Sequence, residues 1–117
     1  MTPRVENLFA GPSDSLGREH LLILFENETV RIERIASHSH SSPAGLWYDQ
    51  PQAEWVIVLR GHAVLELEDG ELIPLQEGDY LLIPSHLRHR VRQTGPDTLW
   101  LAVHIKGPGP LANFSQK

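Results

Sequence analysis

The sequence predicts an all-β protein with a single domain, a small β-barrel or double-sheet jelly roll. Short segments that are apolar, or that alternate apolar with polar residues, recur along the chain, and Gly, Pro, Asn and Asp separate them. A helix would need an apolar residue at every third or fourth position over about 12 residues, and no stretch has that pattern. About eight short strands in a chain of this size are typical of small barrels and jelly rolls.

Length and composition indicate one ordinary globular domain. The chain has 117 residues, of which 40% are hydrophobic and 21% are charged. A chain of this size buries about two-thirds of its surface on folding, which supports one core but not a second domain. We expect an N-terminal arm over residues 1–20, a barrel over residues 21–107 and a C-terminal tail over residues 108–117.

Charge and cysteine content argue against several classes of function. The formal net charge of −5 argues against a protein that binds nucleic acid by neutralising phosphates. Cysteine is absent, so disulfides, thiolate nucleophiles and sulfur-ligated zinc are excluded, and any metal must be held by His, Asp or Glu. The early apolar run over residues 21–25 is too short for a signal peptide or a membrane span. We therefore expect a cytoplasmic protein with neither a membrane nor a nucleic acid as partner.

The predicted strands follow one another at short intervals. The first is apolar and the second alternates, and a loop over residues 41–52, which contains Pro and Gly, comes after them. The predicted strands are residues 21–25, 29–39, 55–59, 63–68, 71–75, 80–83, 87–92 and 98–105.

Turn chemistry predicts how some of these strands connect. Asp69-Gly70 lies between two alternating strands and predicts a type I′ hairpin, in which both central residues have positive φ. Pro74 cannot donate a ladder hydrogen bond, so its strand is expected at a sheet edge or a bulge. A tight turn at residues 60–61 would pair the strands on either side of it. A four-residue loop at residues 94–97 would likewise place Leu87 opposite His104.

Three of the seven histidines occupy positions predicted to face the interior. Even-numbered residues of the strand over residues 29–39 are expected to face inwards, and they continue to His38 and His40, which can reach one ion from the same face. His89 shares a face with apolar neighbours, whereas arginines alternate with it on the other face. The alternatives are a solvated loop pair for the first two and a hydrogen-bonded core residue for His89.

Glu54 is the one carboxylate predicted on an apolar interior face. It shares that face with Val56 and Val58 at the start of a strand. A carboxylate there is costly unless it is paired, binds a metal or lies at a solvated strand end. Three interior histidines and one interior carboxylate on three strands therefore converge on a candidate metal site.

Two stretches of the chain resemble the two motifs of the cupin superfamily. Glu54 followed after six residues by Gly61 resembles the end of the first motif, and the His-Ser-His at residues 38–40 resembles its His-x-His. Residues 78–84, with the following His89, resemble the second motif. The resemblance covers residues 29–105 and implies the cupin type of jelly roll, a double-stranded β-helix.

The resemblance also implies a metal centre. In cupins these motif residues bind one metal ion, and the corresponding residues here are His38, His40, Glu54 and His89. The family places its Glu only a few residues after the second His, whereas residues 41–53 intervene here, so Asp49 and Gln50 are alternatives to Glu54 as the oxygen ligand. Such a set suits one divalent ion of Fe, Mn, Zn, Ni or Cu without choosing among them.

Three further residues are candidates for the pocket. Trp47 and Tyr48, in the loop, either cover the barrel mouth, where a ligand would enter, or cover the outer edge of the barrel. His104 faces the cavity in the hairpin register given above, and a slip of one residue turns it outwards.

Two classes of function follow from the resemblance. One is a metal-dependent enzyme of dioxygenase, isomerase or lyase type acting on a small polar molecule. The other is a non-catalytic module that binds or senses a small ligand such as a sugar. The resemblance also implies a homodimer, since the strand over residues 55–59 is apolar on both faces. Either a second subunit or a second sheet of the same barrel would cover its outer face.

Overall fold

The structure, a computed structural model, describes residues 2–11 and 18–107. A 3₁₀ turn (Leu8–Ala10) precedes the sheets. The strands are β1 (Glu19–Glu26), β2 (Val30–Ser37), β3 (Ala53–Arg60), β4 (Ala63–Leu67), β5 (Leu72–Leu75), β6 (Tyr80–Ile83), β7 (His89–Thr94) and β8 (Thr98–Ile105). The described residues contain no α-helix, and hence no helix able to span a membrane, and the predicted all-β class is confirmed. The predicted tail lies outside the described residues, as do residues 12–17 of the predicted arm.

The eight strands form two antiparallel sheets that enclose one core. The five-stranded sheet has the order β1-β2-β8-β3-β6 and the three-stranded sheet has the order β5-β4-β7. This arrangement confirms the predicted single-domain double-sheet jelly roll. The core residues are Val56, Val58, Ala63, Leu65, Leu75, Ile83, Trp100 and Ala102.

Strands that are adjacent in sequence lie in different sheets at two places where hairpins were expected. β3 and β4 pair with strands of opposite sheets, and so do β7 and β8. β7 pairs with β4, whereas β8 pairs with β2 and β3. The expected pairing of Leu87 with His104 is therefore wrong, because the turn at residues 94–97 carries the chain from one sheet to the other.

The inner face of β2 is the opposite of the predicted one. Its odd-numbered residues from Arg31 to Ile35 line the space between the sheets. Arg34 lies on the outer face, where it is 2% exposed and its Nε donates a 2.6 Å hydrogen bond to Leu8 O. The even-numbered apolar residues indicated the wrong face because the inner face of β2 carries the charged cavity residues Arg31 and Glu33, whereas its outer face is mostly apolar. Alternation alone does not identify the inner face.

The turn between β4 and β5 contains three residues rather than two. Gly70 N donates a hydrogen bond to Leu67 O and Leu67 N donates to Glu71 O, both at 2.9 Å. Gly70 has a φ of 96°, but Asp69 does not have a positive φ. The type I′ prediction is therefore wrong. A three-residue loop with its last residue in the left-handed region replaces it.

Gly61 is expected to be far less tolerant of substitution than Gly78. Both have a positive φ, of 83° and 86°, but a Cβ at Gly61 would lie 2.5 Å from Asp97 O, whereas one at Gly78 would meet nothing within 4 Å. We expect Gly78→Ala to lower the free energy of unfolding by about 1 kcal/mol, the cost of a left-handed residue. Gly61→Ala should lower it by about 2 kcal/mol more, because the backbone must move. Urea unfolding measures the free energy of unfolding of each variant. Equal decreases for Gly61→Ala and Gly78→Ala would contradict the predicted steric clash at Gly61.

Candidate active site

A cavity of about 210 Å³ lies between the two sheets and is partly open to solvent. Its polar lining residues are Glu19, Arg31, Glu33, Tyr48, Gln50, Glu54, His89 and His104. Its apolar lining residues are Leu21, Ile35, Val56, Leu65, Ile83, Val91 and Trp100. An apolar wall with a few convergent polar groups is typical of sites that bind small molecules.

Three ionisable residues of the cavity lie side by side on adjacent strands. β8 lies between β2 and β3, and the register places His104 opposite Arg31 on one side and opposite Glu54 on the other. Cβ atoms of residues opposite one another on an antiparallel pair are about 5 Å apart. The strand order therefore places a guanidinium, an imidazole and a carboxyl group in one row across the cavity wall.

Glu54 is a buried carboxyl group with a raised pKa. It is 9% exposed. On the side away from His104 it lies opposite the apolar Ile83 of β6. Burial raises the pKa of Glu54, and the nearby imidazoles of His104 and His89 oppose that shift. The side chain is therefore closer to its protonated form than an exposed glutamate would be, as is common for groups that transfer protons.

The neighbouring carboxylate, Glu33, is shifted in the opposite direction. Its Oε1 lies 2.8 Å from His104 Nε2. The hydrogen bond to His104 lowers the pKa of Glu33 in spite of burial, and the charges of His104 and Arg31 lower it further. Two carboxyl groups of one cavity whose pKa values are driven apart can serve as an acid and a base in the same reaction.

His89 is held in a defined orientation by backbone contacts. Its Nδ1 lies 2.9 Å from Leu87 O, and because a carbonyl oxygen only accepts, Nδ1 carries a proton and Nε2 is the ring nitrogen left for another partner. Tyr48 exchanges two backbone hydrogen bonds with His89, at 2.8 and 3.1 Å. The two rings are 5.6 Å apart, so Tyr48 and His89 lie at the same end of the cavity.

The loop over residues 41–52 lies along β7. Ser42 exchanges hydrogen bonds with the backbone of this strand, and Arg90 Nη2 donates to Ser42 O at 2.7 Å. The guanidinium of Arg90 is 6.0 Å from the ring centroid of Trp47, which is not part of the cavity lining. Gln50, further along the loop, does line the cavity.

His38 and His40 lie beyond the end of β2 and do not line the cavity. His38 Nδ1 lies 2.9 Å from Pro96 O, in the turn between β7 and β8. His40 Nε2 lies 3.6 Å from Oε1 of Glu19, which does line the cavity. His40 thus approaches the border of the cavity without entering it.

The side chains do not fit the predicted site of three histidines and one glutamate. In residues 2–11 and 18–107, no group of three His, Asp or Glu side chains is placed to hold one metal ion. Glu54 and His89 belong to the cavity lining, whereas His38 and His40 do not. The four-ligand set stays a prediction that this arrangement does not assemble.

The alternative oxygen ligands named from the sequence also lie in different places. Asp49 Oδ1 is 2.8 Å from His86 Nδ1, and both side chains are largely exposed. Gln50 lines the cavity. Of the two, only Gln50 is therefore available to a bound ion or ligand.

Sequence reasoning missed Glu19, Arg31 and Glu33 as cavity residues, and it named Tyr48 and Gln50 without using a spacing signal that points to both. The cupin motif has two ligand positions only a few residues before its Glu, and counting back from Glu54 reaches Gln50 and Tyr48. The His-Ser-His at residues 38–40 matches the residue types but not this spacing. An amide and a phenol therefore stand where the resemblance implies two imidazoles. Glu33 was missed because the wrong face of β2 was chosen.

Glu54→Gln is expected to increase stability at high pH. The folded-state pKa of Glu54 lies above its unfolded value, so the stability of the wild-type protein falls as pH rises through the folded pKa. Gln does not titrate, so the Tm of the variant should gain a few degrees on that of the wild type as pH rises above the unfolded-state pKa of a glutamate, about 4.3. Thermal unfolding with EDTA present measures this. Glu68→Gln, at an exposed ion pair, is the control. If the Tm of Glu54→Gln instead fell relative to that of the wild type as pH rises, the raised pKa of Glu54 would be contradicted.

Glu33→Gln is expected to decrease stability at neutral pH by about 1–3 kcal/mol, because it weakens the buried hydrogen bond to His104. The folded-state pKa of Glu33 is lowered, so its contribution is present above the unfolded pKa and is lost as pH falls through the folded pKa. Urea unfolding at neutral and acidic pH measures the loss, which should shrink in acid. A loss independent of pH would show that the ionised form of Glu33 is not the stabilising one.

Comparison with known proteins gives the family of this chain. The family described as Cupin domain matches residues 31–104. The 3-hydroxyanthranilate 3,4-dioxygenase of Jannaschia sp. (strain CCS1) is 34% identical over 65 residues, which are 53% of this chain but 36% of that protein. The match to this dioxygenase thus spans little more than a third of its length.

Two further relatives match more of the chain. Protein SchB of Streptomyces halstedii is 39% identical over 80 residues, which are 68% of this chain and 49% of that protein. The crystal structure of a "putative mannose-6-phosphate isomerase" from Ralstonia eutropha JMP134 is 42% identical. Its TM-score is 0.82, and the match covers 90% of this chain and 100% of that one. The chain therefore belongs to the cupin family.

Proposed function

We propose that this cupin is an enzyme of isomerase or lyase type that moves a proton on a small oxygenated molecule bound between its two sheets. The observation that carries the proposal is the convergence of a buried carboxyl group, Glu54, and two imidazoles, His89 and His104, on one partly enclosed cavity.

Glu54 is the acid–base group of the proposed reaction. Its carboxyl group is buried beside two imidazoles, so neither of its protonation states is strongly excluded, and it can take a proton from substrate carbon and return it to another atom. A general acid or base positioned in this way typically accelerates the chemical step by about 100- to 10,000-fold.

The two imidazoles have different roles. His104 Nε2 is bound to Glu33, so this ring is fixed beside Glu54 and adjusts the charge that Glu54 experiences. His89 has its proton on Nδ1, which leaves Nε2 to accept a hydrogen bond from a substrate hydroxyl group. His89 therefore orients the substrate while Glu54 exchanges the proton.

The remaining lining residues limit the class of substrate. The carboxyl groups of Glu19, Glu33 and Glu54 oppose a doubly charged phosphate, and Arg31 is engaged 3.4 Å from Glu33. The amide of Gln50 and the phenol of Tyr48 are neutral groups suited to hydroxyl and carbonyl oxygens. We therefore infer a neutral or singly charged hydroxycarbonyl compound.

The names of the similar proteins support an enzyme and suggest two reactions. The Ralstonia structure is named for an isomerase and the Jannaschia relative for a dioxygenase. The cavity favours the isomerase, because its acid–base residues are present while two of the four predicted metal ligands lie outside it. The isomerase match also covers far more of the chain.

Deuterium exchange tests the proposal. Small hydroxycarbonyl compounds, with mannose and mannose 6-phosphate among them, are incubated with the protein in D₂O and followed by proton NMR. The wild type should exchange the proton next to the carbonyl group of at least one compound. Glu54→Gln should slow this exchange by at least about 100-fold. Asp49→Asn, which changes an exposed carboxylate of the adjacent loop, should exchange at the wild-type rate.

Two outcomes would count against the proposal. Saturable binding of these compounds without proton exchange or product would show that the protein is a binding module and not an enzyme for them. Equal exchange rates in the wild type and Glu54→Gln would remove Glu54 from the reaction.

A metal-dependent reaction is the second candidate, and the orientation of His89 favours it. Metal-binding histidines commonly donate one ring nitrogen to a carbonyl group and bind the metal through the other, and His89 donates to Leu87 O in this way. Glu54 and Gln50 supply oxygen donors in the same lining. Such a set suits a divalent transition metal, which would supply Lewis acidity when bound.

Metal analysis of protein purified without an affinity tag tests this candidate. If the cavity holds the ion, His89→Ala and Glu54→Gln should lose a stoichiometric metal. His38→Ala and His40→Ala should retain it. Loss of the metal in all four variants would instead support the four-ligand set. If the purified protein lacks metal and exchanges substrate protons at the same rate with and without EDTA, the metal-dependent reaction is eliminated.

A further inference from the structure

We propose that Arg90 is a positioning residue, which anchors the loop over residues 41–52 and thereby keeps Tyr48 and Gln50 of that loop turned towards the cavity. The inference deepens the proposed function and rests on it, because Tyr48 and Gln50 are the neutral groups assigned to the oxygens of the substrate. Arg90 itself is not part of the cavity lining.

The loop pairs with β7 at two points that lie farther apart in the loop than in the strand. Ser42 N donates a hydrogen bond to Val91 O at 2.9 Å, and Tyr48 exchanges two backbone hydrogen bonds with His89. Residues 43–47 lie between these points in the loop, whereas Arg90 alone lies between them on β7. Residues that are extra on one side of a ladder are left out of its pairing, so other contacts have to set the direction of residues 43–47.

The guanidinium of Arg90 contacts both ends of this extra segment. Its Nη2 donates to Ser42 O at 2.7 Å, and its carbon lies 6.0 Å from the ring centroid of Trp47, within the range of cation–π contacts. From the other side, Nη1 donates to Oε1 of Glu66 at 3.0 Å, and Glu66 lies opposite Arg90 on β4. A planar guanidinium with donors in fixed directions suits such a set of partners. Arg90 therefore joins the loop to two strands of the three-stranded sheet.

The ion pair that supports this anchor is shielded from water. The side chains of Arg90 and Glu66 are 13% and 20% exposed, whereas those of Arg88 and Glu68, which pair just beyond the ends of the same two strands, are 46% and 55% exposed. Exposed ion pairs contribute little because water screens them and their long side chains stay mobile. The shielded pair is thus the one suited to hold the guanidinium, and with it the loop, in one position.

The contact with Trp47 determines which way Tyr48 faces. Neighbouring residues of an extended segment point to opposite sides, and His89 lines the cavity, so Arg90 lies on the outer side of β7. Trp47 packs against Arg90 on that outer side, and the next residue, Tyr48, accordingly lines the cavity with its ring 5.6 Å from that of His89. Without the anchor the segment is free to rotate, and Tyr48 and Gln50 lose their fixed positions in the cavity wall.

Amide hydrogen exchange of the full-length protein, followed by NMR, tests the anchor without reference to activity. Arg90→Ala should speed exchange of the Tyr48 amide at least about tenfold relative to the Val58 amide, because the loop opens locally. The Val58 amide donates to Asp79 O at 3.1 Å, away from the loop. Arg88→Ala, which removes a guanidinium from the exposed pair, is the matched control and should leave Tyr48 exchange unchanged.

Trp47→Ala is the second variant, and it covers the case in which Arg90→Ala fails to fold. It removes the loop side of the contact without changing β7, and it should speed Tyr48 exchange in the same way. Equal acceleration of the Tyr48 and Val58 amides would show a general loss of stability and would overturn the positioning role. Unchanged Tyr48 exchange in both variants would overturn it as well.

Steady-state kinetics of deuterium exchange into substrate test the consequence for the reaction. Arg90→Ala should raise KM by about three- to tenfold and leave kcat within about twofold of the wild type, because the loop binds the substrate whereas Glu54 on β3 transfers the proton. A lower kcat at unchanged KM would overturn the positioning role. If the wild type exchanges protons of none of the compounds, the proposed function fails, whereas the amide exchange of Tyr48 still decides whether Arg90 anchors the loop.

Discussion

The position of β8 between β2 and β3 is the constraint on which the cavity depends. It places His104 between Glu33 and Glu54. The imidazole forms a 2.8 Å hydrogen bond with the buried carboxylate of Glu33 and limits the rise in the pKa of Glu54. A register slip of one residue would turn His104 outwards and bring an apolar neighbour into its place. Two carboxyl groups would then share one cavity without this imidazole, and their repulsion would favour protonation. The register of the sheet and the ionisation of the cavity are thus stabilised together.

Much of the fold could be predicted because turn chemistry is local. β6 and β8 have the bounds predicted from the sequence, and Pro74 lies in β5, at the edge of its sheet as its missing donor requires. Which strands pair is decided by contacts far apart in sequence, so the hairpins expected across residues 60–61 and 94–97 were wrong. The inner face of β2 could not be identified because it carries the charged cavity residues Arg31 and Glu33, whereas the apolar residues lie on the outer face.

In the candidate site, too, residues placed by sequence patterns could be predicted, whereas residues placed by contacts far apart in sequence could not. Glu54 and His89 were selected because each shares a strand face with apolar residues and matches a position of the cupin motifs, and both belong to the cavity lining. His38 and His40 were selected by extending the even-numbered face of β2 beyond its end. That face is the outer one, and the chain leads His38 to Pro96 in the turn between β7 and β8 and His40 to Thr94 at the end of β7. What brings Tyr48 to the cavity is its backbone pairing with His89, a contact between distant residues that no local pattern contains.

The three strands that carry the acid–base residues are apolar on their other face. Glu33, Glu54 and His104 point into the cavity, and the residues beside them in sequence, Ile32, Trp55 and Val103, form an apolar row on the outer face. Because neighbouring residues of a strand lie on opposite faces, packing against the outer row limits movement of the acid–base residues behind it. Burial raises the pKa of Glu54, and the hydrogen bond to His104 lowers that of Glu33, so packing that keeps Glu54 buried and the Glu33–His104 contact intact preserves both directions.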